Sequence, residues 1–275
     1  MTRLAGLGMG LDEFAFETEI IAALTEHGGY TAGEPVNFDP VRGIDTAELV
    51  AFIGATQVEE WNTLVALHGG GQGIAQRAFC DRLAKQLDSR GTVDVLRRGV
   101  VDLGVTIQLA YFRPAHGLTP ALVQRYNANR LTVTRQLAYE SGSHKTVDLA
   151  LFVNGLPVAT AELKNLLTGQ TVEHAKAQYR TQRDPGNLTL ARRAVVHFAV
   201  DTEQVAMTTR LAGVTTRFLP FNRGRTAVRA IAPTLPGTVQ TTCGVRCGRG
   251  TTGWTCCTGS SPPSRPPRGR RPSER

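Results

Sequence analysis

Asp148, Glu162 and Lys164 are the residues of this 275-residue sequence whose types and spacing could support catalysis. Asp148 lies in one apolar segment, and Glu162 and Lys164 flank Leu163 at the end of the next. Side chains of a strand alternate between its two faces, so Glu162 and Lys164 should point the same way. Two carboxylates and an ammonium in one place are typical of metal-assisted phosphodiester hydrolysis. A solvent-facing strand end or an ordinary surface salt bridge is the alternative for so short a pattern.

Each of these three side chains has its own expected task. Asp148 and Glu162 would hold Mg²⁺, which lowers the pKa of a bound water and offsets negative charge in the transition state. Lys164 would orient that water and add positive charge beside the phosphate. Without a cation the two carboxylates repel each other, so we expect the pKa of at least one of them to be raised.

The turn between the two apolar segments decides whether the carboxylates can meet. A two-residue loop at Asn154-Gly155 is the strongest hairpin signal in the sequence. In that register an unbroken ladder places Asp148 and Glu162 on opposite faces of the sheet. Catalysis therefore requires either a loop with an odd number of residues or a β-bulge near Pro157.

The surroundings of this pattern resemble a known family. The arrangement of Asp148, Glu162 and Lys164 is similar to the PD-(D/E)xK nuclease signature, and residues 14–224 resemble the N-terminal nuclease region of the restriction (R) subunit of type I restriction enzymes. The order and spacing of several short segments carry this resemblance. They are Asn129-Arg130-Leu131-Thr132-Val133, Arg135-Gln136, Phe152-Val153-Asn154-Gly155-Leu156-Pro157, Glu162-Leu163-Lys164-Asn165, Met207-Thr208-Thr209 and Phe218-Leu219-Pro220-Phe221-Asn222.

The resemblance implies a restriction-endonuclease-like α/β fold, with a mixed central sheet flanked by helices, and an Mg²⁺-dependent endonuclease acting on double-stranded DNA. In that family methylase and specificity subunits are partners, and an ATP-driven motor moves the DNA. The sequence contains no G-x-x-x-x-G-K-[ST] motif, so we expect no ATP site in this chain.

The resemblance also implies further site residues. An acid on an early helix joins the metal site in many nucleases of the superfamily, and Glu17 holds the corresponding place; a surface glutamate on an amphipathic helix is the alternative. The family often carries Gln four residues before a Tyr on the helix that follows the lysine. Here Ala175 stands four residues before Tyr179. Gln178 and Tyr179 are therefore the candidates for catalytic roles on that helix.

Periodicity divides the chain into a helical part over 1–91 and a nuclease core over 92–224. The first part shows apolar residues at helical spacing and a capping-box pattern at Asp45 and Glu48. In the second part, runs that are apolar on both faces predict a central sheet covered by helices on both sides. Strands are predicted over 93–96, 105–111, 131–139, 147–153, 158–164 and 194–199, with a helix over 171–182.

The formal net charge of +8 resides in the C-terminal segment. Residues 225–275 contain nine Arg, no Lys and one acid, so the charges of residues 1–224 sum to zero. Any DNA-binding surface of the nuclease region must then be a local patch. Its candidate residues are Arg130, Arg135, Lys145, Arg180 and Arg183, and solvated arginines without a partner are the alternative.

Residues 225–275 differ in composition from the rest. They hold seven Pro, seven Gly and few apolar side chains, so we expect no packed core and fast amide exchange. Four cysteines, at 243, 247, 256 and 257, lack the C-x₂-C pairs of structural zinc sites, and disulfides are not expected in a cytosolic protein. The abrupt loss of pattern motivates the hypothesis of a frameshifted, truncated gene product.

Three functions remain open at this point. The chain is a Mg²⁺-dependent nuclease domain of a type I restriction subunit, an inactive remnant that keeps the fold and a partner-docking surface, or a stand-alone DNA repair nuclease. No signal-peptide pattern opens the sequence and no window has the length of a membrane span. We therefore expect a cytoplasmic protein without a membrane partner.

Overall fold

The computed structural model describes residues 11–221, with side chains from residue 13 onward. It has an α/β architecture built on a seven-stranded sheet, which confirms the predicted class. The expectations about residues 225–275, including the absence of a core and of a zinc site, concern a segment outside the described residues. Within the described part, no helix is both long and apolar enough to cross a membrane.

Seven α-helices and eleven strands make up the described part of the chain. The helices are α1 (Leu11–His27), α2 (Thr46–Thr56), α3 (Val58–Leu67), α4 (Gln72–Arg90), α5 (Thr92–Arg98), α6 (Pro120–Asn127) and α7 (Val172–Thr181). The strands are β1 (Thr31–Ala32), β2 (Phe38–Asp39), β3 (Ile44–Asp45), β4 (Val100–Asp102), β5 (Val105–Ile107), β6 (Leu131–Ala138), β7 (Thr146–Val153), β8 (Leu156–Leu163), β9 (Val196–Val200), β10 (Val205–Thr208) and β11 (Leu219–Pro220).

The large sheet is mixed and has the order β1-β6-β7-β8-β9-β10-β11. Strands β1 and β6 are parallel, as are β8 and β9, and the remaining neighbours are antiparallel. Two separate hairpins are formed by β2 with β3 and by β4 with β5. The helical part of the sequence thus contributes one edge strand, β1, to the main sheet.

Helices cover both faces of the sheet, as the apolar runs predicted. On one face α1 buries Phe16, Ile20 and Leu24 against Leu149 and Ala161. On the other face Tyr179 of α7 packs in a cluster with residues of β6 and β7. Helices α2 to α5 form a further core with β4 and β5. The predicted cap is confirmed, since Asp45 Oδ1 accepts a hydrogen bond from the backbone N–H of Glu48 at 3.0 Å.

The strand predicted over 93–96 is wrong, because these residues lie in α5. Glycines with positive φ bracket this helix, Gly91 at 79° and Gly99 at 68°. Asp94 in its first turn binds Arg90 at 2.6 Å and Arg98 at 3.0 Å, which complements the helix dipole and joins neighbouring turns. Four residues of alternating pattern are too few to separate a strand from one helical turn.

The hairpin of β7 and β8 contains the bulge that the sequence required. Asn154 and Gly155 form a two-residue turn with φ of 51° and 82°, as a type I′ turn demands. The ladder pairs Phe152 with Pro157 but Leu151 with Ala159, so one residue of β8 is extra. After that bulge Leu149 pairs with Ala161, and Asp148 comes to stand across from Glu162. The register prediction is confirmed.

Gly155 provides a test of this turn. A Cβ there would lie 2.7 Å from the backbone nitrogen of Leu49 and still closer to the carbonyl oxygen of Asp45, in addition to the positive φ. Gly142 also has a positive φ, of 73°, but nothing within 4 Å of its Cβ position. We expect Gly142→Ala to lower the free energy of unfolding by about 1 kcal/mol and Gly155→Ala by at least about 3 kcal/mol. Urea denaturation measures both, and equal losses would contradict this packing of α2 on the turn.

Candidate active site

Asp148 and Glu162 lie side by side on adjacent strands. The register after the bulge sets them opposite each other, where side chains of antiparallel strands share a face. Asp148 is half-buried, whereas Glu162 is fully buried. The Asp148 charge contributes to raising the pKa of Glu162, which shows that the two carboxylates interact.

Asp148 is oriented by hydrogen bonds to both of its oxygens. Oδ2 accepts the backbone N–H of Leu163 at 2.7 Å, and Oδ1 is 3.4 Å from the side-chain amide nitrogen of Gln136. Gln136 lies on β6 with a φ of 43°, and its amide oxygen accepts the Thr146 hydroxyl at 2.8 Å. This backbone conformation is rare for a residue other than glycine, and it occurs beside the site.

Glu162 has one engaged and one open oxygen. Oε1 accepts a hydrogen bond from Arg183 Nε at 2.6 Å, and the Arg183 side chain is only 7% exposed. Oε2 is buried and has no hydrogen-bond partner in the part of the chain that the structure describes. Buried carboxylate oxygens are normally satisfied, so this open acceptor marks a place where a further ligand can bind.

Burial raises the pKa of Glu162 from 4.5 to about 8, and the neighbouring Asp148 carboxylate adds to the rise. Arg183, through its hydrogen bond and charge, and Lys164, through its charge, act in the opposite direction. The expectation of a raised carboxyl pKa is confirmed, although burial contributes more than the repulsion between the carboxylates that we had considered.

Lys164 follows directly after β8, where its backbone N–H donates to Val200 O at 2.8 Å. Its side chain is 14% exposed, and Nζ lies 3.8 Å from Glu13 Oε1 on α1. A separation of 3.8 Å is too long for a direct hydrogen bond, so this ammonium can still donate to a substrate oxygen. Its effect on the pKa of Glu162 places it in the electrostatic field of the same site.

Glu17 pairs with Arg135, whereas we expected it to join the metal site. Its Oε1 accepts from Arg135 Nε at 3.0 Å, and the glutamate is almost fully buried. Among residues 11–221 there is no group of three or more His, Cys, Asp or Glu that could hold a metal ion. The described geometry therefore does not gather Glu17 with Asp148 and Glu162 into one ligand set.

Tyr179 lies inside the fold, behind the carboxylates. It is fully buried, and its hydroxyl is 2.8 Å from Thr160 Oγ1, which is also 2.7 Å from His197 Nδ1. Burial lowers the pKa of His197 to about 4, so this imidazole is neutral and can accept the Thr160 proton. Gln178 is half-buried beside it on α7. The buried Tyr179 supports β8 and does not reach an accessible surface.

Arg130 and Arg135, two of the DNA-binding candidates, are engaged in ion pairs. Arg130 binds Glu48 at 2.6 Å beside the hairpin turn, which is the end of the hairpin remote from Asp148 and Glu162. Arg135 binds Glu17, and its guanidinium lies 4.5 Å from the centre of the Phe14 ring. Each of these arginines could contact DNA only while it is also bound to its glutamate partner.

The other three candidates differ strongly in exposure. Lys145 is exposed just before β7, with Nζ 3.9 Å from Glu140. Arg180 is half-buried on α7 and donates from Nε to the Thr216 carbonyl oxygen at 3.1 Å. Arg183 is buried against Glu162, so the structure places it away from the surface where we expected it.

The residues present suit a hard divalent cation. Within residues 11–221, Glu162 Oε2 has no hydrogen-bond partner, and Asp148 Oδ1 has a single long contact, with Gln136. Mg²⁺ needs one or two carboxylates and completes its coordination with water and substrate phosphate. Two carboxylates such as Asp148 and Glu162 would be enough protein ligands for such a cation.

One family model matches part of this chain. Residues 105–215 are similar to the family described as type I restriction enzyme R protein N terminus. The R protein match includes Asp148, Glu162 and Lys164 and runs from β5 past β10, while Glu17 lies outside it. No curated protein matches the chain.

Sequence reasoning missed the inner partners of this candidate site. Thr160 and Glu162 are two residues apart on β8, so their side chains share a face. Tyr179 lies on α7, and Arg183 lies two residues after the helix ends at Thr181. The alternation along β8 could have placed Thr160 beside Glu162, but no local pattern identified Arg183 or Tyr179 as their partners.

The raised pKa of Glu162 predicts a pH dependence of stability. Between pH 4.5 and about 8 the folded chain keeps a proton that the unfolded chain has released. The stabilising contribution of Glu162 is thus complete below pH 4.5 and is lost as the pH rises through 8. In the presence of EDTA, we expect wild-type stability to fall relative to Glu162→Gln by up to about 1.4 kcal/mol per pH unit. Urea denaturation series that run parallel for the two proteins would contradict the raised pKa.

Proposed function

We propose that this chain is a Mg²⁺-dependent endonuclease acting on double-stranded DNA, within the R subunit of a type I restriction enzyme. One observation carries the proposal: Asp148 and Glu162 stand opposite each other in a bulged hairpin, and Glu162 keeps one buried oxygen without a hydrogen-bond partner among residues 11–221. Lys164 lies close enough to act on the pKa of Glu162. The R protein family match supports the restriction context.

In this proposal Asp148 and Glu162 would hold the cation. Bound Mg²⁺ would supply a polarised water and positive charge for a pentavalent phosphorus. The hydrogen bonds from the Leu163 N–H to Asp148 and from Arg183 to Glu162 fix the carboxylates before substrate arrives. Such preorganisation lowers the reorganisation needed in the transition state.

Lys164 orients the attacking water and stabilises charge on the phosphate. Among the described residues its ammonium has one ion pair, at 3.8 Å to Glu13, so a phosphate oxygen can become its closer partner. Because carboxylates surround it, the charged form is the useful one, and we assign it electrostatic stabilisation and not general-base catalysis.

The DNA partner contacts a weakly charged surface. Lys145 is exposed three residues before Asp148, and Arg180 is half-buried on α7. The charges of residues 1–224 sum to zero, so non-specific affinity from this region should be low. We propose that methylase and specificity subunits and an ATP-driven motor bring DNA to the site.

Replacing Lys164 tests this proposal. With Mg²⁺ and without ATP, we expect the wild-type chain to nick duplex DNA slowly and Lys164→Ala to nick it about a hundred- to thousand-fold more slowly, a loss of roughly 3–4 kcal/mol. DNA affinity should be nearly unchanged. Lys85→Ala, at an exposed position of α4, is the matched control and should retain the wild-type rate.

Two results would remove the assignment. If Lys164→Ala and Glu162→Ala nick as fast as wild type, the nuclease site is elsewhere or absent, and the inactive remnant is the better account. A gene neighbourhood without a DNA methylase and a specificity subunit would instead favour a stand-alone repair nuclease.

A further inference from the structure

Two contacts join β8 to helix α7 and to the segment just after it. The Tyr179 hydroxyl, on α7, is 2.8 Å from Thr160 Oγ1, and Arg183, two residues past the end of the helix at Thr181, donates to Glu162 Oε1. Thr160 and Glu162 are two residues apart on β8 and therefore point to the same face of the sheet. The segment after α7 thus presents a guanidinium to Glu162 from within the fold.

Arg183 binds Glu162 in an uncommon way. Its Nε donates to Oε1 at 2.6 Å, while Oε2 has no hydrogen-bond partner within residues 11–221. Arginine and carboxylate frequently form a bidentate pair, in which the guanidinium donates to both carboxylate oxygens. Here such a pair would also engage Oε2. The single hydrogen bond leaves Oε2 without a partner, although a buried acceptor without a hydrogen bond lowers the stability of the fold.

The location of Arg183 excludes direct contact with DNA. Its side chain is 7% exposed, and its guanidinium carbon lies 5.8 Å from the centre of the Tyr139 ring, in the interior. A phosphate could reach this guanidinium only by opening the packing between α7 and the sheet. Arg183 must therefore act through Glu162.

We propose that Arg183 is a positioning residue: by binding Glu162 Oε1 from inside the fold, it leaves Oε2 as the single oxygen that Glu162 offers to a divalent cation. This inference rests on the metal site of the proposed function. It predicts that Glu162 binds a cation through one oxygen while Arg183 is present. Without Arg183, Glu162 is free to bind through both oxygens.

Luminescence of bound Tb³⁺ tests the proposal without requiring catalysis, because its lifetime reports the number of coordinated waters. Carboxylates bind such oxygen-seeking cations through one oxygen or two, and the second oxygen displaces a water. We expect Arg183→Met to hold about one water fewer than wild type, and Arg183→Lys, which can still donate to Oε1, to restore the wild-type number.

Arg193→Met is the matched control. Arg193 is also buried and ion-paired, at 2.7 Å to Asp88, but it does not contact Asp148 or Glu162. Thermal melting of each variant establishes that it is folded at the temperature of the measurement. If Arg183→Met does not fold, Arg183→Leu, which also removes every side-chain N–H donor, is measured in its place and should likewise hold about one water fewer than wild type.

Kinetics of Mg²⁺-dependent nicking provide a second readout. We expect kcat of Arg183→Met to fall by about ten- to a hundred-fold, as for other residues that orient metal ligands, with KM for DNA unchanged. A residue that contacts DNA would raise KM and reduce the salt dependence of binding instead.

The outcomes separate this inference from the proposed function. If Glu162→Gln weakens Tb³⁺ binding but Arg183→Met keeps the wild-type water count and kcat, the positioning role is overturned and the metal site stands. If Glu162→Gln binds Tb³⁺ as wild type does, the metal site itself fails and this inference fails with it.

Discussion

One extra residue in β8 is the constraint on which the site depends. A type I′ turn at Asn154-Gly155 fixes the start of the hairpin, and the bulge just after Pro157 shifts every later pair by one. Without that shift Glu162 would point towards α1, into a layer of apolar side chains. The bulge therefore decides both which face receives the carboxylate and whether Asp148 has it as a neighbour. Proline next to the bulge fits this arrangement, because it has no N–H to contribute to the ladder.

The buried Glu162 carboxylate determines which charged side chains are needed near it. A lone buried ion is strongly unfavourable, so Glu162 requires a compensating charge. Arg183 supplies it from inside the fold, and Lys164 lies on the side of α1 near Glu13. The compensation is incomplete, since the pKa of Glu162 is still raised and one of its oxygens is open. A divalent cation between Asp148 and Glu162 would relieve both conditions, which links the electrostatic cost of the fold to its proposed chemistry.

Short sequence patterns predicted the features of this structure that depend on neighbouring residues in the sequence. The Asn154-Gly155 turn, the cap at Asp45 and the need for a bulge follow from backbone geometry and alternation, which a single sequence displays. The strand expected over 93–96 failed because the positive φ of the flanking Gly91 and Gly99 was not visible in a four-residue pattern. Arg183 was expected on a local DNA-binding patch because it lies near the proposed site. Its burial depends on how the segment after α7 packs on β8, a tertiary contact that no short window contains.

The proposed function requires Asp148 and Glu162 to share one cation. Calorimetric titration of Mn²⁺ into the metal-free chain tests this most directly, with Asp148→Asn and Glu162→Gln measured beside wild type. We expect a single Mn²⁺ site in the wild-type chain that each substitution weakens by at least about tenfold, since each removes one of two charged ligands. Wild-type affinity in Asp148→Asn would contradict it, because the two carboxylates would then not meet at one metal.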